Sequence, residues 1–222
     1  MVFAFNPSFV EIYDNALTKR ECDILINYFE NSPSRIEGRI FSGDTNQLEV
    51  VPSVKKCIEL PDLQFSNGTI IDNIISTRLQ QPIKKYRLKY PQLQDICEWE
   101  VDDKYTFKKY ESKDDGFKSW HTEHGPPPTA NRVLVWMFYL NNAQSGTDFM
   151  NFSTVKAKRG RCVIWPAFWT HPHRGIPSPT QTKYIATGWF TFYDAHHQLE
   201  QDMFSKRPLF YSTHRKTIHK HK

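Results

Sequence analysis

Two kinds of hydrophobic spacing divide the chain. In the first half apolar residues recur every three or four positions. Cys22, Leu25, Ile26 and Phe29 follow Thr18-Lys-Arg-Glu21, in which Thr18 and Glu21 can satisfy each other's backbone N–H groups at a helix start. That spacing predicts an amphipathic helix over 19–30. Ile71, Ile74, Ile75, Leu79, Ile83 and Tyr86 predict a second helix over 70–90, ending before Pro91. Pro82 is expected to break or kink it, because proline lacks the N–H that the helical ladder needs. Ahead of the first helix, Phe9–Tyr13 alternates like a short strand and Asp14-Asn15 turns the chain. Between the helices the run through Pro33, Gly38 and Gly43 reads as a polar loop.

From Glu98 onward the period changes. Trp99–Tyr110, Arg132–Leu140, Arg161–Trp165 and Lys183–Tyr193 are short runs rich in Val, Ile, Thr and aromatics, bounded by turn residues. Such runs are strands. Several strands with a helical layer outside them predict a mainly β, α+β fold: an antiparallel double sheet, or jelly roll, packed on helices. The chain divides as one 1–222 domain, with 1–97 as helical support and leading strand, 98–195 as the jelly-roll core and 196–222 as a C-terminal tail.

Composition narrows the function classes. At 222 residues with 39% hydrophobic content, the chain can bury a real core, which excludes wholesale disorder. The net charge of +5 is unevenly spread. Six of the 29 basic residues lie in Met203–Lys222, which has no acid, and the other 23 face 24 acidic residues. The body is therefore nearly neutral, which argues against a nucleic-acid-binding domain. The tail is either a solvated end or a docking arm for an acidic partner. Cys22, Cys57, Cys97 and Cys162 form no CxxC pair and sit among apolar neighbours, as buried free thiols of a reducing compartment do. No signal-peptide pattern and no run of about 20 apolar residues is present, so the expectation is a soluble, cytoplasmic protein.

The sharpest chemical feature is Trp120-His121-Thr122-Glu123-His124. On an extended chain residues i and i+2 point to one side, so His121 and Glu123 can offer an imidazole and a carboxylate to one metal. A third ligand can come from His171-Pro-His173. Two histidines and one carboxylate on one face of an octahedron leave three positions open, which suits iron(II) binding a bidentate co-substrate and dioxygen. Lys183 shares a strand face with Ile185, Thr187 and Trp189. A lysine on an apolar face needs an anionic partner, because an unpaired buried charge is costly.

The stretch from Tyr105 to Tyr193 resembles the iron(II)/2-oxoglutarate-dependent oxygenases, and within them the prolyl 4-hydroxylase-like branch. The HxE motif is followed by Arg132-Val-Leu-Val-Trp-Met-Phe-Tyr139-Leu140-Asn141, then a Gly146-Thr-Asp-Phe149 turn, then a Gly160-Arg-Cys-Val-Ile-Trp-Pro166 hairpin. That family places a distal His, a Pro four residues later and a basic residue ten after the His, which His173, Pro177 and Lys183 fit. Trp189 stands six residues beyond the base. The N-terminal Phe-Val-Glu-Ile-Tyr-Asp-Asn opening and capped helix are similar as well. Glu123 stands where prolyl hydroxylases usually have Asp.

The resemblance implies a cupin-like double-stranded β-helix and a dioxygenase. It implies iron(II) on His121, Glu123 and His173, with His171 as the other candidate for the distal position. It implies 2-oxoglutarate held at its far carboxylate by Lys183, with Tyr139, Tyr110 and Thr187 beside it. Arg132 and Trp189 are implied on the substrate side, and ascorbate as a supporting reductant. In this chemistry 2-oxoglutarate is oxidatively decarboxylated to succinate while a substrate C–H bond is hydroxylated. The first expected substrate is a peptide or protein proline. The alternatives are a small molecule such as a free amino acid, or a metal-binding jelly roll without turnover. A nucleic-acid demethylase is more remote, since the co-substrate cation is one lysine rather than a pair of arginines.

Overall fold

The computed structural model describes residues 8–42, 45, 47–111 and 113–192. The basic stretch beyond Phe192 lies outside the described residues. Fourteen strands and two α-helices are present among them. In chain order they are β1 (Glu11–Tyr13), α1 (Lys19–Asn31), β2 (Ile36–Glu37), β3 (Ile40–Ser42), β4 (Gln47–Glu49), β5 (Lys55–Lys56), β6 (Ile58–Gln64) and α2 (Ile70–Lys89). There follow β7 (Trp99–Tyr110), β8 (Gly116–Phe117), β9 (Arg132–Tyr139), β10 (Gly146–Phe149), β11 (Val155–Lys156), β12 (Cys162–Pro166), β13 (His173–Ile176) and β14 (Lys183–Phe192).

Both helices begin on reciprocal caps. The Thr18 hydroxyl accepts from the Glu21 N–H, and the Glu21 carboxylate accepts from the Thr18 N–H at 2.8 Å. Thr69 and Asp72 do the same for α2. Each such cap contributes about 1 kcal/mol by satisfying end groups that no helical bond reaches. Helix α2 runs unbroken through Pro82, contrary to the expected break. Pro82 is buried on the same stripe as Ile75, Leu79 and Tyr86, so packing of that face offsets the one lost helical bond.

The strands form a seven-stranded antiparallel sheet ordered β1-β12-β9-β14-β7-β6-β2, and a three-stranded one ordered β11-β10-β13. This is the expected mainly β double-sheet fold with helices on one side. Strict alternation sends successive residues of the large sheet to opposite faces. From β9, Leu134, Trp136 and Phe138 join a core with Cys22, Leu25 and Phe29 of α1 and Ile71, Ile75 and Leu79 of α2. Val135, Met137 and Tyr139 face the other way, into a second core with Phe149, Val155, Val163 and Trp165. Both faces of β9 are covered, which is why Arg132–Leu140 reads as a continuous apolar run.

Three expectations need correction. The run through Pro33 and Gly38 is not only a polar loop: its described residues hold β2 and β3, and further on β6 extends the large sheet by pairing with β7. Gly146–Phe149 is not a turn but strand β10, paired with both β11 and β13. Cys97 is exposed, whereas Cys22, Cys57 and Cys162 are buried free thiols as expected. Gly160, in the loop before β12, has a φ of +76°. A Cβ there would lie 2.3 Å from the Leu17 carbonyl oxygen, so this contact between the hairpin and the α1 approach requires glycine.

Candidate metal centre

His121 and His173 are placed by backbone pairing. The His121 N–H donates to the His173 carbonyl at 3.0 Å, and the His173 N–H returns the bond at 2.9 Å. Residues that exchange both bonds across an antiparallel pair present their side chains on one face. Glu123 follows two residues later, its N–H and that of His124 both held by the Ala167 carbonyl at the end of β12. The ring of Phe117 stacks on His121 with centroids 3.5 Å apart. Trp165 meets His173 edge-on at 5.0 Å.

Each imidazole is oriented by its Nδ1. That of His121 faces the Ser119 carbonyl at 3.0 Å, and that of His173 faces the His171 carbonyl at 3.1 Å. A carbonyl only accepts, so Nδ1 carries the proton in both rings and Nε2 is left with a free lone pair. The two Nε2 atoms lie 3.7 and 3.6 Å from Glu123 Oε1. One atom from each of the three residues falls within 4.8 Å of the others, close enough for a single first-row cation. Among the described residues it is the one such cluster of His, Cys, Asp and Glu. His171 lies outside it: its Nδ1 meets the Thr170 hydroxyl and its Nε2 the Ser8 carbonyl, each at 2.8 Å.

The second oxygen of Glu123 is held from the far side. Oε2 accepts from the Trp189 indole at 3.0 Å and from the Arg132 guanidinium at 3.2 Å. Arg132 also donates to the Glu123 carbonyl and lies 3.6 Å over the Trp189 ring. Arg132 and Trp189, expected on the substrate side, thus orient the carboxylate and turn Oε1 toward the histidines, the support that ligating carboxylates commonly receive. Burial on its own would raise the Glu123 carboxyl. When His121 and His173 also carry a proton on Nε2, their hydrogen bonding and charge outweigh it and hold the group well below the usual carboxylate range. Burial lowers His121, with Glu123 opposing. The anionic carboxylate and neutral imidazole that a metal requires are the forms these shifts favour.

Lys183 lies behind this cluster, 2% exposed. Its ammonium donates to the Ile176 carbonyl at 3.0 Å and the Gly146 carbonyl at 3.3 Å, and sits 4.6 Å over the Tyr110 ring. An ammonium has three donors, so one remains for a further acceptor. Among the described residues no carboxylate pairs with it, and burial pulls its pKa down to about 8. Tyr110 is the Cα partner of Lys183 across β7 and β14.

The other two expected co-substrate residues are engaged within the protein. The Tyr139 hydroxyl shares a hydrogen bond with the Thr147 hydroxyl at 2.7 Å and donates to the Val155 carbonyl at 3.3 Å. The Thr187 hydroxyl donates to the Trp136 carbonyl at 3.0 Å. Two participants were absent from the sequence reading. Phe117 is the wall against His121. Lys108 shares the inward face of β7 with Tyr110, which the two-residue period could have signalled once Tyr110 was placed.

Residues 105–191 match the model of the 2OG-Fe(II) oxygenase superfamily. No curated protein sequence matches the chain. Among solved structures, a viral collagen prolyl hydroxylase from Paramecium Bursaria Chlorella virus-1, in its 2OG complex, is 16% identical with a TM-score of 0.57, over 83% of this chain and 97% of that one. A prolyl hydroxylase from Trichoplax adhaerens, in complex with a hypoxia inducible factor oxygen degradation domain peptide fragment, is 14% identical with a TM-score of 0.63, over 90% and 89%. The non-heme alpha-ketoglutarate-dependent epimerase SnoN from nogalamycin biosynthesis is 13% identical with a TM-score of 0.57, over 83% and 79%. At these identities the structures speak for the fold alone. The matched stretch 105–191 spans the His-x-Glu motif, His173 and Lys183, so the part of the chain that carries the candidate centre is similar to the 2OG-Fe(II) oxygenase superfamily.

Proposed function

We propose that this chain hydroxylates a C–H bond on a peptide or protein proline, with iron(II) on His121 Nε2, Glu123 Oε1 and His173 Nε2. The observation that carries the metal assignment is the convergence of those three atoms within 4.8 Å beside a buried ammonium that lacks an anion. In this reading Lys183 holds the far carboxylate of 2-oxoglutarate, with the face of Tyr110 beneath the ammonium. Bound iron and 2-oxoglutarate supply the oxidising chemistry when dioxygen joins them. The protein's own tasks are to keep three positions of the metal open, to hold Glu123 by Arg132 and Trp189, and to place one C–H group of the substrate. Tyr139 and Thr187 act here as packing residues, since their hydroxyls are already bonded within the sheets.

The proline assignment is supported by the two prolyl hydroxylases among the similar structures, one of them bound to a peptide. A small-molecule substrate is the second reading, and the likeness to an epimerase of a biosynthetic pathway favours it. No helix among the described residues is long and apolar enough to cross a membrane. The four free cysteines support a reducing, cytoplasmic setting.

The test is mass spectrometry of proline-rich peptides and of free amino acids, each incubated with the protein, iron(II), 2-oxoglutarate and ascorbate. Gain of one oxygen on proline within a peptide is expected. Oxygen gained only by free amino acids would replace the peptide reading with the small-molecule one. Absence of succinate under every condition would overturn both.

A further inference from the structure

The inward face of the large sheet carries a second lysine that the proposed chemistry leaves unused. Lys108 lies on β7 between Thr106 and Tyr110, two residues from each, so all three point inward together. Its Cα partners are Ile185 on β14 and Glu59 on β6. Tyr110 is in turn the partner of Lys183, so Lys108 sits one two-residue step, roughly 7 Å, from Tyr110 and is the diagonal neighbour of Lys183 on the same face. It is half-buried.

Both nearby carboxylates are taken. Glu59 gives Oε2 to Lys55 at 2.6 Å and Oε1 to the Arg39 N–H at 3.0 Å. Glu123 gives Oε2 to Trp189 and Arg132 and turns Oε1 to the two histidines. Lys108 has no hydrogen bond or ion pair among the described residues, although Glu59 is its direct cross-strand partner. Burial and the neighbouring Lys55 lower its pKa, and Glu123 and Glu59 only partly oppose them. A cation held in this way, with its local counter-ions committed elsewhere, is a binding site for an anion from outside.

2-Oxoglutarate does not need it. One of its carboxylates belongs to Lys183 and the other, with the keto oxygen, to the metal. We infer that Lys108 is the residue that selects the substrate: its ammonium holds a carboxylate on the molecule being oxidised. The substrate class is then either an amino acid with a free α-carboxylate or a peptide with an acidic side chain close to the reacting residue. This rests on the reading of the site as that of a 2-oxoglutarate-dependent hydroxylase.

The test uses the full chain loaded with Mn(II) and 2-oxoglutarate, which does not turn over, and measures binding by calorimetry. The probes are matched pairs: N-acetylproline and its amide, N-acetylalanine and its amide, and the amidated dipeptides acetyl-Glu-Pro and acetyl-Gln-Pro. At least one acid should bind tighter than its neutral partner by roughly tenfold or more, the worth of one charge-assisted hydrogen bond. The preference should disappear in Lys108→Met and return in Lys108→Arg, with thermal melting of the variants confirming that they fold. Preference in the α-carboxylate pairs identifies an amino acid, and preference in the Glu/Gln pair an acidic peptide.

No preference in any wild-type pair, or preference kept by Lys108→Met, overturns the inference. So does a roughly tenfold weaker affinity for 2-oxoglutarate in Lys108→Met, which would make Lys108 a co-substrate residue. Preference confined to the alanine pair would break the proline reading and leave Lys108 in place. Absence of Mn(II)-dependent 2-oxoglutarate binding would overturn the hydroxylase reading and this inference with it.

Discussion

The two faces of the seven-stranded sheet are built from the same strands, one residue out of phase. The face toward α1 and α2 carries Phe107, Trp136, Phe138 and Phe190, all buried and apolar. The face toward the small sheet carries Lys108, Tyr110, Tyr139, Lys183 and Thr187 among its apolar residues, and closes on His173 and Glu123. On the first, apolar neighbours cover one another, and the one polar atom of those four side chains, the Trp136 indole N–H, is buried without a partner. On the second, an ammonium at Lys183 and another at Lys108 are left without anions, and two imidazole nitrogens share one carboxylate oxygen. The difference separates what keeps the chain folded from what it can do. A polar group is costly in a core, so the face that tolerates several of them is the one shaped for ligands.

The largest effect expected of breaking this comparison lies at the ligands. His121→Ala, Glu123→Ala and His173→Ala should each abolish iron-dependent succinate formation, because two remaining ligands hold the metal weakly and in the wrong geometry. Thermal melting of the metal-free variants should stay close to that of the metal-free parent. His171→Ala should keep substantial activity, since its ring is bonded to Ser8 and Thr170 rather than turned toward Glu123. An inactive His171 variant beside an active His173 variant would exchange their roles.

On the opposite face the effect should appear in stability instead. Trp136 is fully buried against Phe65, Tyr105 and Phe138. Trp136→Ala should cost about 3–5 kcal/mol, read from the denaturant midpoint of the metal-free protein. Lys183→Met, on the site face, should leave that midpoint unchanged or raise it, because it removes an ammonium that the apo-protein buries without an anion. Destabilisation of similar size by both would mean that the two faces are energetically alike, and the division drawn above would be lost.

The third effect is confined to the co-substrate. Lys183→Ala should raise the half-saturating 2-oxoglutarate concentration by roughly 10- to 150-fold, the loss of one charge-assisted hydrogen bond, with metal affinity nearly unchanged. Lys183→Arg should be intermediate, because a guanidinium pairs with a carboxylate but needs more room than the cleft between Gly146 and Ile176 offers.

These sites were legible in the sequence to unequal degrees, for physical reasons. Helices α1 and α2 and strands β7, β9, β12 and β14 are long enough for their period to show. Strands β2 to β5 have two or three residues each and no period to read. Strand β6 contains Pro61 and Asp62, the latter with a φ of +58°, and its pairing with β7 slips between Leu60 and Leu63. The spacing of His121, Glu123, His173 and Lys183 identified the candidate centre because each lies on or beside a strand whose register fixes its direction. The parts played by Arg132 and Trp189 were hidden, since donation to Glu123 Oε2 depends on strands 9 and 66 residues away from the acceptor. Lys108 was hidden too. In Phe107-Lys108-Lys109-Tyr110 the two lysines look alike, and only pairing with Ile185 and Glu59 turns one inward, while the other pairs with Glu30 and Glu111.

The smallest effect sharpens the comparison by titrating it. Without its ligand the folded protein lowers the Lys183 pKa from 10.5 to about 8, because burial penalises the ammonium. Between these values the unfolded chain holds a proton that the folded chain has released, so stability from this group rises with pH across the window and is lost as pH falls through about 8. If Lys183 holds 2-oxoglutarate as proposed, affinity for it runs the other way, since a carboxylate pairs with the ammonium and not with the amine. One unit above the folded pKa only about a tenth of the protein carries the charge, so the half-saturating concentration at pH 9 should be roughly tenfold that at pH 7. Lys183→Arg should show no such rise, because a guanidinium stays protonated throughout. Succinate formation measured against 2-oxoglutarate at pH 7, 8 and 9 for both proteins decides it. A rise of equal size in both would place the titrating group elsewhere and remove Lys183 as the charge that 2-oxoglutarate needs.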